Sequence, residues 1–290
     1  MSCVILDGKK VAKEIKDTLK RNIQEIIKDY PSIKLPKLTI YTDGLDEASK
    51  VYLKNKKKAC EEVGIQCNIV TIDPNISNFH IDYETDGAIL QLPVKNKKQE
   101  LSFLDRITTA MDVDGLTSVN QGNLFLGIDP KDEFYHTPCT PTGIIKLLDY
   151  YNIDLEGKNV LIIGRSKLVG KPIATLMLNR NATVTIAHSK TDYQDLSFKL
   201  SEADIVVSAV GKPNFILPDE LKKGCILIDV GINKDPITGK ICGDVANPNN
   251  ELDSVCSYRT PVPGGVGPMT VAMLLENTYL AWKYHKHHKF

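Results

Sequence analysis

The chain has 290 residues, 42% of them hydrophobic, which allows about two domains of roughly 150 residues with a sizeable core. Lys+Arg and Asp+Glu both number 36, giving formal charge +0, so no global basic field exists to hold nucleic acid or an anionic membrane. The seven cysteines are scattered without a CxxC pair, which suggests neither a zinc site nor a disulfide framework. The opening Met1 to Asp7 is too short an apolar run for a signal peptide, and no run approaches the roughly 20 residues of a membrane span. A reduced, soluble, cytoplasmic protein is expected, without nucleic-acid or membrane partners. There is no internal repeat.

Lys9 to Tyr30 reads as an amphipathic helix, because Val11, Ile15, Leu19, Ile23 and Ile27 recur every four residues. Pro31 and Pro36 end it. Leu38 to Tyr41 is a short strand, and Asp43-Gly44 starts a loop. A second helix is expected over Ser49 to Val63. On it Tyr52 and Lys56 lie four apart and share a face. Lys50, Lys54, Lys57 and Lys58 read as a solvated face. A lysine beside an aromatic, in a crowd of positive charge, can have a lowered pKa and act as a base, and this makes Lys56 a candidate. Gln66 to Ile72 and Gly87 to Pro93 are strands, with Gln91 near the C-terminal end of the second, where open α/β sheets place ligand contacts. Asp73 to Asp86 is polar and unassigned. Asp112-Val113-Asp114-Gly115 has the form of a plain Asp-Gly turn.

Thr137 to Gly143 is a proline-rich break, taken as the start of a second domain, with a helix over Gly143 to Tyr151. Cys139 is read as structural, since no histidine partner can be argued for it. Lys158 to Arg180 then organises the rest of the chain. Asn159 to Ile163 is an apolar strand, Gly164 to Gly170 a turn, and Lys171-Pro172 the opening of a helix, where the missing proline N–H is not needed. Such a turn aims free backbone N–H groups at one point, which attracts phosphate. Ala182 to Ala187, Asp204 to Val210 and Cys225 to Val230 are further strands, alternating with helices as in a parallel sheet covered on both sides. Gly211 and Gly231 follow two of them directly, where a cofactor could approach the backbone. Thr260 to Thr270 is a shaped loop of prolines and glycines, and an apolar helix runs from Thr270 to Tyr284. The histidine-bearing tail beyond it could bind metal but reads as a frayed, solvated terminus.

The turn Gly164-Arg165-Ser166-x-x-x-Gly170 is not the common G-x-G-x-x-G, and alone it is a weak signal. The next strand ends at His188-Ser189-Lys190, where NAD-binding chains usually carry an acid for the ribose. Here Ser189 can donate a hydrogen bond and Arg165 a charge-assisted one. That arrangement favours a 2′-phosphate, hence NADP over NAD.

Tyr52-Leu53-Lys54-Asn55-Lys56, Gln91-Leu92-Pro93, Asp112 to Gly115, Pro138 to Pro141, Gly164-Arg165-Ser166 and Pro261 to Thr270 occur in one order. Together they closely resemble the methylenetetrahydrofolate dehydrogenase/methenyltetrahydrofolate cyclohydrolase family, over nearly the whole chain. The resemblance implies two α/β domains with a cleft between them, the second a Rossmann-like parallel sheet. It places residues 1–141, with a returning helix 268–290, in a folate domain and residues 142–267 in an NADP domain. It implies Lys56 as the lysine of proton transfer, Tyr52 stacked on the aminobenzoyl ring, Gln91 tuning Lys56, and Asp114 on the pterin. Ser49 and Leu92 join the substrate residues, and Pro261, Val262, Pro263, Gly264 and Gly265 wall the folate site. Thr140, Gly164, Arg165, Ser166, Ser189 and Ile232 would contact NADP. A homodimer is expected, no metal is required, and the segment between Ile72 and Ala88 is shorter than the family pattern. The competing readings are an NADP dehydrogenase of another small substrate, of shikimate type, and a non-catalytic NADPH-sensing module.

Overall fold

The structure, a computed structural model, describes residues 3–44, 47–236 and 238–286, and of residues 47–49 and 51 the backbone alone. In chain order the elements are β1 (Val4–Ile5), α1 (Gly8–Asp29), β2 (Lys37–Thr42), α2 (Glu47–Val63), β3 (Gln66–Thr71), β4 (Gly87–Leu90), α3 (Lys97–Leu104), α4 (Ser118–Leu126) and α5 (Cys139–Tyr150). They continue with β5 (Asn159–Ile163), α6 (Gly170–Leu178), β6 (Thr183–Ala187), α7 (Tyr193–Glu202), β7 (Ile205–Ser208), β8 (Ile226–Asp229), β9 (Asn233–Lys234), β10 (Ile241–Cys242), α8 (Leu252–Val255), β11 (Tyr258–Arg259) and α9 (Val266–His285). Two compact units form, one from residues 13–139 with 271–290 and the other from residues up to Ala12 with 140–270.

The first unit is built on a parallel three-stranded sheet in the order β3-β2-β4. β2 is central, and Leu38, Ile40 and Tyr41 are buried on it. Its polar residues are satisfied: Thr39 bonds to Thr85 (3.1 Å), and the carboxylate of Asp43, just beyond it, accepts the Lys95 N–H (2.7 Å). Residues 73–86 form no helix or strand, yet the segment is anchored. Phe79 packs with Tyr41 and Phe103, and its carbonyl accepts from Arg106 (2.6 Å). Trp282 of α9 is fully buried and donates to the Lys34 carbonyl (2.9 Å).

The second unit carries a six-stranded sheet, order β1-β11-β8-β7-β5-β6, parallel at every pairing. From β5 the chain passes through α6 to β6 on one side, then through α7 to β7 on the other. The order therefore reverses beside β5, and ligands of such sheets sit at the strand C-termini there. Leu161, Ile163, Val206 and Leu227 pack with Leu196 and Leu200 of α7 beneath.

Several expectations need correction. Residues 3–12 belong with the six-stranded sheet and not with the N-terminal half, because Val4 and Ile5 pair with Tyr258 and Arg259. The helix expected from Gly143 begins at Cys139, with Pro141 in its first turn, where no N–H is needed. The helix expected from Thr270 begins at Val266 for the same reason, with Pro268 in its first turn.

Candidate functional site

In the unit of residues 13–139 and 271–290, α2 presents Lys56 inward. Lys50, Lys54, Lys57 and Lys58 are exposed, whereas Lys56 is only 8% exposed. Its Nζ donates to Gln91 Oε1 (2.9 Å) and lies 5.1 Å from the centre of the Tyr52 ring one turn earlier. Gln91 is held in turn: its N–H donates to the Tyr41 carbonyl (2.7 Å) and its Nε2 to the Leu92 carbonyl (2.8 Å), which turns Oε1 toward the amine. Burial pushes the Lys56 pKa below its ordinary value of 10.5, and the nearby Asp114 and Cys139 oppose that shift. A buried ammonium is costly, so desolvation biases this lysine toward its neutral form.

Asp114 is half-buried, at the turn after Val113. Desolvation raises its pKa, and Lys56 lowers it. Each charge thus offsets part of the other's desolvation. Cys139, the first residue of α5, donates to the Val113 carbonyl (3.3 Å), and burial drives its thiol well above the ordinary range. Asn277 Nδ2 donates to the Val113 carbonyl (2.9 Å) and to Cys139 Sγ (3.7 Å). Sequence reasoning left Cys139 as structural and missed Asn277. The thiol is too well protonated to be a nucleophile, and both residues fix the backbone that carries Asp114. His136 serves neither: it is buried, bonded at Nε2 to the Ala110 carbonyl (3.0 Å), and burial holds its pKa down at about 4. Leu92 and Asp114 line a small cavity of about 10 Å³, the size of one water. The Ser49 side chain, and His287 and His288 of the tail, lie outside the described residues. His285 closes α9 with Nδ1 3.5 Å from Asp86.

The remaining candidates lie in the other unit. Pro261 to Gly265 form the turn that leads into α9, and the Gly265 N–H closes it onto the Pro261 carbonyl (2.8 Å). The start of α1 holds this loop. The Lys9 N–H donates to the Gly264 carbonyl (3.0 Å), and a Cβ on Gly8 would meet the Gly265 carbonyl carbon at 2.7 Å. Gly8 is thus a residue that sequence reasoning missed. Its partner is distant in sequence, and no local pattern signals it.

At the switch point, Gly164 has φ +123°, and a Cβ there would lie 2.5 Å from the Ala209 carbonyl oxygen. A Cβ on Gly170 would meet the backbone of Gly164 and Arg165. Only glycines allow so tight a turn. Ser166 bridges it, its hydroxyl accepting from the N–H groups of Val169 (3.1 Å) and Gly170 (3.3 Å). Arg165 and Ser189 are exposed at the ends of β5 and β6, and Ile232 is 61% exposed just past β8. Thr140 is bonded to Thr270 (2.9 Å). The C-terminal edge of the sheet thus carries a glycine cradle with an arginine and a serine at its rim, which fits a dinucleotide bearing an extra phosphate.

Comparison with known proteins agrees. Residues 6–114 match the tetrahydrofolate dehydrogenase/cyclohydrolase catalytic domain, and residues 138–286 match its NAD(P)-binding domain. The bifunctional protein FolD of Mycoplasma mycoides is 46% identical, over 97% of both chains. The crystal structure of the bifunctional enzyme FolD from Campylobacter jejuni is 41% identical, covers 98% of this chain and 100% of its own, and superposes with TM-score 0.87. FolD of Trypanosoma brucei, solved with NADP cofactor and inhibitor, is 31% identical, with coverage of 98% and 99% and TM-score 0.88. Carried by both halves of the chain at once, this likeness makes it a member of the tetrahydrofolate dehydrogenase/cyclohydrolase family.

Proposed function

We infer that this chain oxidises 5,10-methylenetetrahydrofolate to 5,10-methenyltetrahydrofolate with NADP and hydrolyses the product to 10-formyltetrahydrofolate. The observation that carries the reading is buried Lys56, bonded to Gln91 and coupled in charge to Asp114, in a chain whose other unit has the glycine cradle. A shikimate-type dehydrogenase or an NADPH sensor has no use for that pair.

When bound, NADP supplies the hydride acceptor. Gly164, Arg165, Ser166, Ser189, Ile232 and Thr140 would hold it. Tyr52, Leu92 and Asp114 would hold the folate, with Ser49 and the Pro261–Gly265 loop contributing. The methenyl carbon is already electrophilic, so hydrolysis needs chiefly a proton acceptor for the attacking water. Neutral Lys56 takes that proton, and Gln91, fixed at its amide by the Leu92 carbonyl, keeps the amine oriented. Mixing the protein with methylenetetrahydrofolate and NADP should produce methenyltetrahydrofolate absorbance that then decays. A protein giving neither phase lacks this function.

The pH dependence follows from Lys56. The productive form is the free amine, so the hydrolytic rate rises with pH, and burial places its inflection below 10.5. Asp114 favours the ammonium and so raises the lysine pKa. Asp114→Asn therefore moves the rising limb of the maximal rate to lower pH. A limb that stays in place, or moves to higher pH, contradicts the coupling.

Coenzyme choice gives another expected result. Arg165→Ala should weaken NADP by about tenfold or more, the worth of one charge-assisted hydrogen bond, and leave NAD nearly unaffected. Equal affinity of the native protein for both coenzymes defeats the argument. A cytoplasmic homodimer fits the family. The open edge of the second sheet is compatible with it, since Thr185 and Ile186 are both exposed on β6. Among the described residues, no helix is long and apolar enough to cross a membrane.

A further inference from the structure

Two buried aspartates lie behind the dinucleotide cradle. Asp244, just past β10, is fully buried. Its Oδ2 accepts from Ser208 Oγ (3.1 Å) and from the N–H groups of Val210 (2.7 Å) and Gly211 (3.2 Å). Its Oδ1 accepts from the Lys212 N–H (3.0 Å) and Asn233 Nδ2 (2.9 Å). Asp229, at the end of β8, accepts from the N–H groups of Gly231 (2.9 Å), Asp244 (3.0 Å) and Val245 (3.0 Å). Gly231 and Gly243 leave the room for this, because a Cβ on either would collide with the other strand's carboxylate.

The segments so gathered are the loops that follow β7 and β8, both on the C-terminal edge of the sheet. The first rests against the glycine turn, through the close approach of the Ala209 carbonyl to Gly164. The second carries Ile232 between Gly231 and Asn233, each bonded to one of the two aspartates. One carboxylate thus ties together two loops that share no strand pairing of their own. A buried carboxylate persists only when its lone pairs are filled, and here the groups that fill them are loop N–H groups and side chains rather than the sheet ladder.

We propose that Asp244 is a positioning residue for the dinucleotide. It touches no ligand, and it fixes the loops at Gly211 and Ile232 in the spacing that the coenzyme meets. This rests on the NADP reading of the unit.

The test uses the full chain with Asp244→Asn, which keeps the shape but turns an acceptor into a donor against those N–H groups. NADP affinity is read by calorimetry, and steady-state rates are read in parallel. The expected result is an NADP Kd and KM raised about tenfold or more, with kcat at saturating NADP within about twofold and methenyltetrahydrofolate hydrolysis retained. Native Kd in the variant overturns the proposal, as does an equal loss of both activities, which marks a general loss of structure. Should Asp244→Asn fail to fold, Asn233→Ala releases only the second loop, and an unchanged NADP Kd there overturns the proposal too. If the native protein itself does not bind NADP, the underlying reading of the unit fails instead.

Discussion

Lys56→Ala is expected to lose methenyltetrahydrofolate hydrolysis by about 10²–10⁴-fold, the usual worth of a positioned base, and to keep NADP-dependent oxidation of methylenetetrahydrofolate. The lysine is buried against Gln91 and Tyr52 and biased toward the free amine by desolvation. In the proposed mechanism its removal takes away the acceptor for the proton of the attacking water, whereas the hydride step needs no such acceptor. A second measurement separates this from damage to the fold. A buried amine is a burden on stability, so Lys56→Met, of similar length and apolar, should melt no lower than the native protein while remaining inactive as a hydrolase. Stability bought at the cost of activity is the signature of a strained functional group. Hydrolysis at the native rate by either variant removes Lys56 from the mechanism.

Gly170→Ala should have the opposite profile. Its Cβ would meet the Gly164 carbonyl carbon at 2.6 Å and the Arg165 nitrogen at 2.9 Å, both backbone atoms with no rotamer to yield. The turn must open, at a cost of about 1–3 kcal/mol, and melting should fall by roughly 2–4 °C per kcal/mol. NADP binding and oxidation should be lost, and hydrolysis at Lys56 should continue. Gly122→Ala supplies the control, because nothing lies within 4 Å of a Cβ there and the residue is helical. It should stabilise by about 0.5–1 kcal/mol. A Gly170→Ala protein with native melting and native NADP affinity shows that the turn is not the cradle described.

What the sequence disclosed depended on whether the signal was local. The β5–turn–α6 unit was legible because an apolar strand, two glycines and a proline all lie within a short stretch. The stripe on α1 was legible through its four-residue spacing, and Lys56 stood out from its neighbouring lysines because Tyr52 shared its face. Gln91 had only its place at a strand end and Asp114 only a plain Asp-Gly turn; the resemblance supplied their expected roles, and a hydrogen bond joins Gln91 to Lys56. α3 and α4 were missed. They are short and half polar, and their boundaries rest on caps, with Asn96 accepting from Lys98 and Gly127 left-handed at φ 69°, rather than on a repeating stripe. β1 and β11 have two residues each, too few for any alternation to register. The early starts of α5 and α9 were hidden because proline was read as a breaker, where in a first turn it is tolerated.

The pairing of β1 with β11 has a consequence for synthesis. Val4 and Ile5 leave the ribosome long before their partners Tyr258 and Arg259. The same is true of Gly8 and the Gly264–Gly265 loop. The leading segment must therefore wait, unpaired, while the strands between are laid down, and the long loop it closes carries an entropic toll. The edge of the large sheet is completed last by residues translated well before the strand they pair with, so a bulky group placed ahead of Val4 would burden the final step of assembly.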